Sequence, residues 1–342
     1  MAIGPLAVLD SGLVLINKPR GITSFGVVSR MRRLTGIRKI GHTGTLDPFA
    51  EGLLPICIGR ATAAVQFMDG YDKTYRVGVE FGRTTDTQDL TGQITGEYEL
   101  TAEERAELVR TDYAPVRAAV AGLAGVRQQT PPMYSAVKLD GRPLYEYARR
   151  GQTVERKSRQ IKVYRAELDE VGLNGCLHAT VTISCSKGTY IRTLAEDLGQ
   201  ALGYGAHAAS LTRLQCGPFS LDEAQDLDRL FTMREGCPDN RHFLQLLSDC
   251  GILLPIDRAF SDFPAISLPE ADALHLICGQ PLLVTEDDFV KRFPDCPIGS
   301  MPIVVRSEGR LIAMIRLQND LPGFFRLKTE RVLIDLADFR QA

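Results

Sequence analysis

Residues 41–55 read GHTGTLDPFAEGLLP, a run that sets one carboxylate, Asp47, among glycine, threonine and proline. Such residues are poor material for the interior of a helix or strand, so a shaped loop is predicted. Asp47 precedes Pro48, which pushes its backbone away from helical angles toward extended ones. Gly41, Gly44 and Gly52 permit tight turns and a close approach of the chain to a bound partner. Thr43 and Thr45 add hydroxyls near the acid, with Leu46 directly before it. An ordinary solvated turn needs only two or three residues of this kind. Asp47 is therefore the first candidate for chemistry.

The flanks predict how that loop is carried. An apolar strand over residues 13–16 leads into NKPRGITS, residues 17–24. Thr23 or Ser24 can cap a helix whose Val27, Met31 and Leu34 share one face and which ends at Gly36. After the loop, residues 53–58 read as a buried strand, and YRVGVEF, residues 75–81, alternates as a half-exposed strand does. Thr101 and Glu104 form a capping-box signature, and an alanine-rich helix follows around Val116, Val120 and Leu123. Residues 128–144, QQTPPMYSAVKLDGRPL, are punctuated by proline and glycine and carry Met133, Tyr134 and Lys138, as suits a mobile binding loop. Strands over residues 161–171 and 177–185 precede SKGTYIRTLAEDLG, residues 186–199, which turns into a helix capped near Thr189. Around residues 237–250 the pattern weakens and a connecting segment is expected. Beyond about residue 263, short β-rich runs at 302–306, 311–316 and 324–327 predict a small β-barrel-like appendage.

Composition narrows the class. With 342 residues and 44% apolar content the chain can bury a large domain and a small one. Its first residues lack a basic start followed by a long apolar run, and no uncharged apolar stretch reaches the roughly 20 residues that span a bilayer. The eight cysteines are scattered with no CxxC pair, which argues against a zinc site or disulfide framework. A soluble cytoplasmic protein with reduced thiols is expected. Net charge is only −2, yet Arg30, Arg32, Arg33, Arg38 and Lys39 cluster without an intervening acid. A second basic cluster runs from Arg149 to Lys162 with Glu155 as its one acid. Patches of this kind track a phosphate backbone even when the total charge is near zero.

Arg192 is the second candidate. It falls in the first turn of a predicted helix, where the helix dipole disfavours a cation by a few tenths to about one kcal/mol. An acidic partner removes that penalty. Asp47 is one possibility, and Glu196, four residues on, is the other. Pairing with Asp47 is expected to lower the carboxylate pKa by about 1–3 units. Tyr75 and Tyr190 are each either core residues or walls of a slot for a planar base. Other readings fail: GHTGTLDP lacks the Lys-Ser/Thr ending of a phosphate loop, and the five histidines are too far apart for metal-ligand spacing.

Taken together, NKPRGITS, GHTGTLDPFAEGLLP, the KTYRV around Tyr75 and SKGTYIRTLAEDLG resemble, in order and spacing, the bacterial tRNA pseudouridine synthases that modify uridine 55 in the T-arm. The resemblance runs from about residue 13 to 219 and resumes at LLPIDRAFSDFP, residues 253–264. It implies an α+β fold, with a mixed, largely antiparallel sheet flanked by helices and a small C-terminal PUA-type domain. The implied division is a catalytic domain over 10–250, an RNA-contacting insertion at 128–150 and an RNA-binding domain over 251–342. Position by position, the family's essential aspartate falls on Asp47, its stacking tyrosine on Tyr75, and its pocket tyrosine and arginine on Tyr190 and Arg192. His42 matches a histidine that contacts the target loop, and Lys18 and Pro19 match a pair that supports the active-site loop. Thr45, Leu46, Arg32, Arg33, Tyr134 and Lys138 are the further candidate RNA contacts. From Gly251 onward 10 basic residues face 13 acidic ones, an unusual balance for a domain that grips phosphate.

The implied reaction detaches a uridine base from C1′, turns it and rejoins it through C5. Nothing is added or removed, so neither cofactor nor metal is expected, and the implied partner is the tRNA T-arm stem-loop, bound by a monomer. Breaking a nucleoside bond builds positive charge on the sugar, which an anionic carboxylate stabilises or attacks. Two rival classes make other demands. A binding module with a lapsed site would have lost Asp47, Tyr75 or Arg192. A hydrolase would need Glu51 or His42 to activate water.

Overall fold

The computed structural model describes residues 11–299 and 301–340; the stretch read above for an export signal begins in residues 1–10, outside that range. Among the described residues the larger sheet has ten strands. In chain order they are β1 (Gly12–Lys18), β2 (Ile40–His42), β3 (Glu51–Ile58), β4 (Lys73–Phe81), β5 (Gly125–Gln129), β6 (Arg159–Gly172), β7 (His178–Cys185), β8 (Ala206–Cys216), β9 (Phe219–Ser220) and β10 (Gln225–Asp226). Their spatial order is β10-β1-β3-β8-β4-β7-β6-β5, with β2 added to β3 and β9 to β8. Two pairs are parallel, β1 with β10 and β3 with β8, and the rest run antiparallel. The expected mixed, largely antiparallel sheet is what the chain forms.

Strand β4 shows how sequence period becomes position. Lys73, Tyr75, Val77, Val79 and Phe81 are buried, while the residues between them are less so. That face is covered by α1 (Ser24–Thr35), α2 (Ala114–Ala121), α3 (Ile191–Leu202) and α4 (Asn240–Asp249). Val27, Met31, Val116, Leu194, Leu198 and Phe243 join Val77 and Val79 in one core. Helix α1 begins and ends as read: the Thr23 side chain accepts from the Gly26 amide, and Gly36 closes it at φ 72°. The capping box at Thr101 and Glu104 is also present.

Two local expectations are corrected. The segment read as a connection is α4, capped by Asp239 and buried through Phe243 and Leu247. Helix α3 starts at Ile191 after Tyr190, with no side-chain cap. Thr189 instead donates to the Ser186 carbonyl at 2.9 Å. Gln129 steadies that end, accepting from the Tyr190 amide at 2.8 Å and donating to its carbonyl at 3.0 Å. Pro55 is tolerated inside β3 for a topological reason. On one edge β3 meets β8 only at Glu51 and Gly52, and β2 only from Ile56 onward, so the missing amide falls in the gap.

The C-terminal runs form a five-stranded sheet curled into a half-barrel, in the order Ala265–Ser267, Ile303–Ser307, Arg310–Leu321, Phe324–Val332, Leu282–Thr285. Helices Glu270–Ile277 and Glu286–Arg292, which the β-rich pattern did not suggest, accompany it. The half-barrel sits on the opposite face of the large sheet. Val304 and Met314 share an apolar cluster with Leu13, Leu15, Phe67, Tyr71 and Phe260. The Tyr71 hydroxyl donates to the Ala259 carbonyl, and Arg306 grips Asp257 with two bonds of 2.7 Å. Among the described residues no helix is long and apolar enough to cross a membrane, and no group of three or more His, Cys, Asp or Glu is placed to hold a metal ion.

Candidate active site

Asp47 sits in the turn between β2 and β3, and three buried polar side chains fix that turn. Ser24, at the start of α1, accepts from the Leu46 amide at 2.9 Å and donates to the Leu46 carbonyl at 3.1 Å. Lys18, at the end of β1, donates to the Pro19 and Ile22 carbonyls at 2.9 Å and to that of Pro48 at 3.5 Å. Arg213, on β8, donates through Nη1 to the Gly44 carbonyl at 2.9 Å and through Nε to that of Leu53 at 2.7 Å. Gly52 holds φ at 101°, and a Cβ there would lie 2.5 Å from the Arg213 carbonyl oxygen. Only glycine lets β3 and β8 meet at this point.

The acid and its partner differ in exposure. The Asp47 side chain is 37% accessible, that of Arg192 only 3%. Arg192 Nε reaches Asp47 Oδ2 at 2.9 Å, and Nη1 lies 3.4 Å from Asp89 Oδ2. Its remaining donors meet the Thr87 carbonyl at 2.5 Å and the Tyr134 carbonyl at 2.8 Å. One planar guanidinium thus serves four acceptors, a geometry that a lysine lacks. Glu196, the alternative partner weighed from sequence, accepts instead from Gln88. The expected downward pKa shift of Asp47 is reversed. Burial pushes the carboxyl upward and Asp89 adds to that push, while Arg192 and Lys18 pull it back. Burial also lowers Lys18 to about 8, with Asp47 and Glu51 acting in the opposite sense.

Asp47 opens on a cavity of about 260 Å³ walled by Thr45, Leu46, Tyr75, Tyr190, Arg192 and Arg213. Tyr75 projects from β4 and is 9% exposed. Burial raises its hydroxyl to about 12, so it stays protonated at neutral pH. The Tyr190 ring is steadied by Arg159, whose guanidinium lies 5.3 Å from the ring centre. The segment around residues 128–150 supplies another wall through Ser135 and Ala136. Tyr134 belongs to it; besides its carbonyl bond to Arg192, its hydroxyl donates to Asp86 at 3.2 Å.

Other expected contacts lie outside this cavity. His42 ends β2, and burial, helped by Arg213, lowers its pKa. Arg32 donates to the Ile40 carbonyl at 3.3 Å and stands over the Phe25 ring, while Arg33 lies over Phe231. Lys138 is exposed in a two-residue strand of a small hairpin. Lys18 is wholly buried, so it braces the loop rather than meeting RNA, and Pro19 beside it is exposed. Sequence reading missed Asp89, Ser24 and Arg213. A signal for Arg213 existed: strand alternation puts it on the face of buried Leu211, where a cation is out of place.

Comparison with known proteins supplies the family. Residues 32–191 match the TruB family pseudouridylate synthase (N terminal domain), and residues 192–261 match the tRNA pseudouridylate synthase B C-terminal domain. The tRNA pseudouridine synthase B of Burkholderia pseudomallei (strain 668) is 40% identical over 305 residues, covering 89% of this chain and 92% of that one. The protein of the same description from Cupriavidus metallidurans is 40% identical over 307 residues, covering 90% of each. In fold, the chain is similar to one in the crystal structure of a Cbf5-Nop10-Gar1 complex, with TM-score 0.70, 20% identity and coverage of 97% of this chain and 88% of that one. The chain belongs to the TruB family of pseudouridylate synthases.

Proposed function

We propose that the protein converts uridine 55 in the T-arm of tRNA to pseudouridine, and the observation that carries this reading is the Asp47 carboxylate. It opens on a small cavity walled by Tyr75 and Tyr190 and is oriented by a buried arginine. The target uridine leaves its stack at a cost of a few kcal/mol, and stacking on Tyr75 returns about 1–3 kcal/mol of that. The N1–C1′ bond breaks as the carboxylate meets the positive charge growing on the ribose. The base turns, C5 bonds to C1′, C5 gives up its proton and N1 gains one. Mass is unchanged. The segment 128–150 closes over the RNA, and the C-terminal half-barrel takes the adjoining stem. Between the half-barrel and the turn around residues 66–71 lies an open trough of about 920 Å³ that shares Asp69 with the cavity and is bordered by Lys187 and Lys328. In this reading the protein works as a cytoplasmic monomer.

Hydrolysis at the same carboxylate is the rival reaction, and its water-activating groups are poorly placed. Glu51 pairs with Arg20 at 3.2 Å and accepts from Thr212 at 3.2 Å, and His42 is not on the cavity wall. The test is incubation with an unmodified tRNA transcript, followed by mapping of modified positions. Pseudouridine at position 55 is the expected product. Released uracil, or modification elsewhere alone, overturns the reading.

A further inference from the structure

Among the described residues Gln88 is one of five besides glycine whose φ is positive, at 61°. That conformation is disfavoured for a glutamine, and such outliers persist only where the surrounding structure holds them, often beside a working site. Gln88 is held from two sides. Its side-chain amide donates to Glu196 and accepts from the Thr193 hydroxyl at 2.8 Å, which ties it to α3, the helix that carries Arg192 in its first turn. On the other side its carbonyl accepts from the Ala208 amide at 3.0 Å, and the Leu90 amide donates to the Ala208 carbonyl at 3.0 Å, which fastens the loop to β8. Thr87 and Asp89 flank it in the chain. The Thr87 carbonyl and the Asp89 carboxylate converge on one atom, Arg192 Nη1, at 2.5 and 3.4 Å. Gln88 itself is not on the wall of the cavity.

We propose that Gln88 is a positioning residue, which acts on the reaction through Arg192 and touches no substrate. This rests on the reading of Asp47 as the acid of the reaction. The left-handed turn at Gln88 brings two acceptors, two residues apart, onto one nitrogen. The side-chain amide then sets that pair of acceptors against the helix that bears the guanidinium. Thr193 and Glu196 are three residues apart and so share a helix face. One offers a hydroxyl and the other a carboxylate, and a primary amide serves both because it carries a donor and an acceptor. With Nη1 held in this way the guanidinium plane is fixed, and Nε meets Asp47 Oδ2 at 2.9 Å. Glycine would adopt the same turn without strain, so glutamine is of use here for what its side chain holds. A misplacement of about 1 Å at a reacting group can cost about a hundredfold in rate, which is how a residue outside the cavity governs the reaction.

The test compares the wild-type protein with Gln88→Gly and Thr193→Ala by single-turnover rate at saturating protein, tRNA affinity and thermal melting. Gln88→Gly loses both side-chain bonds but gains a relaxed backbone, so its Tm is expected to stay within about 3 °C of wild type. Its rate is expected to fall about tenfold. Its Kd for whole tRNA should stay within about twofold, because phosphate contacts dominate binding. Thr193→Ala removes one anchor and leaves the backbone at residue 88 untouched, so it carries the test if Gln88→Gly melts much lower. A rate about threefold below wild type is expected of it. The decisive arm places Gln88→Gly in an Arg192→Lys protein, whose lysine lacks the fork that the loop holds. There the same change should slow the reaction by less than about twofold, since both substitutions act on one contact. A wild-type rate in both single variants, an affinity loss as large as the rate loss, or the full loss repeated in the Arg192→Lys background overturns the proposal. A wild-type protein that makes no pseudouridine at all would instead remove the functional reading itself.

Discussion

Replacing Arg192 with methionine keeps a long apolar stem and removes the one cation between Asp47 and Asp89. At an effective dielectric of about 20, unit charges about 4 Å apart attract by roughly 4 kcal/mol, so the lost stabilisation of ionised Asp47 is large. Breaking a buried ion pair from one side typically destabilises by about 3–5 kcal/mol. Part of that is recovered when one acid takes up a proton. Burial and Asp89 already push the Asp47 carboxyl upward, and Arg192 is the main influence pulling it down. Its removal should raise the Asp47 pKa further. If the ionised carboxylate is the reactive form, the rate falls as pH drops through that pKa, and the acid limb of Arg192→Met must lie at higher pH than in wild type. Below the new pKa the rate should change about tenfold per pH unit. The assay is single-turnover release of tritium from C5 of uridine in an unmodified tRNA transcript, followed across about pH 6 to 9, with a melting curve to verify folding. Arg192→Lys restores the charge without the planar fork, so its acid limb should return toward wild type while its plateau stays low. A folded Arg192→Met protein whose profile is lowered but not displaced would refute the electrostatic argument.

Three further outcomes are expected. Asp47→Asn should abolish product formation while tRNA binding persists; measurable turnover would remove Asp47 from its assigned role. Tyr75→Leu should lower turnover more than affinity, since stacking matters most once the base is extruded, and equal losses in a comparison of rate with Kd would indicate plain binding. Gly52→Ala forces a side chain into φ 101° and a 2.5 Å approach to the Arg213 carbonyl oxygen. Strain of about 1–3 kcal/mol and overpacking of about 1–3 kcal/mol should lower the Tm and slow the reaction together, and a fully stable, fully active variant would contradict the close strand contact.

What the sequence disclosed follows the range of the interactions involved. Thr23, Gly36 and the Thr101–Glu104 box act within one turn, so their residues alone announced them. Asp47 and Arg192 stood out because each is awkward where it lies, an acid before proline and a cation in a helix's first turn. Helix α4 was hidden because Gly236, Pro238 and several polar residues dilute its apolar stripe to Phe243, Leu244 and Leu247. Asp89 and Ser24 were invisible because nothing near them in the chain explains their burial, and Arg213 betrayed itself only by sharing a strand face with buried Leu211. The direction of the Asp47 pKa shift failed for the same reason. Charge can be counted along a sequence, whereas loss of water is a property of the finished fold.

The turn from Asp69 to Lys73 has duties on two sides. Asp69 and Lys73 border the reaction cavity, while Tyr71 between them is pinned to Ala259 and packed under the half-barrel. A shortened chain ending near residue 250 would therefore not be a tidy minimal enzyme. It would leave Leu13, Leu15 and Phe67 as a naked greasy panel inviting aggregation, and would loosen the floor beneath the reacting nucleoside. For anyone engineering this scaffold, the tail is a keystone and not a detachable handle.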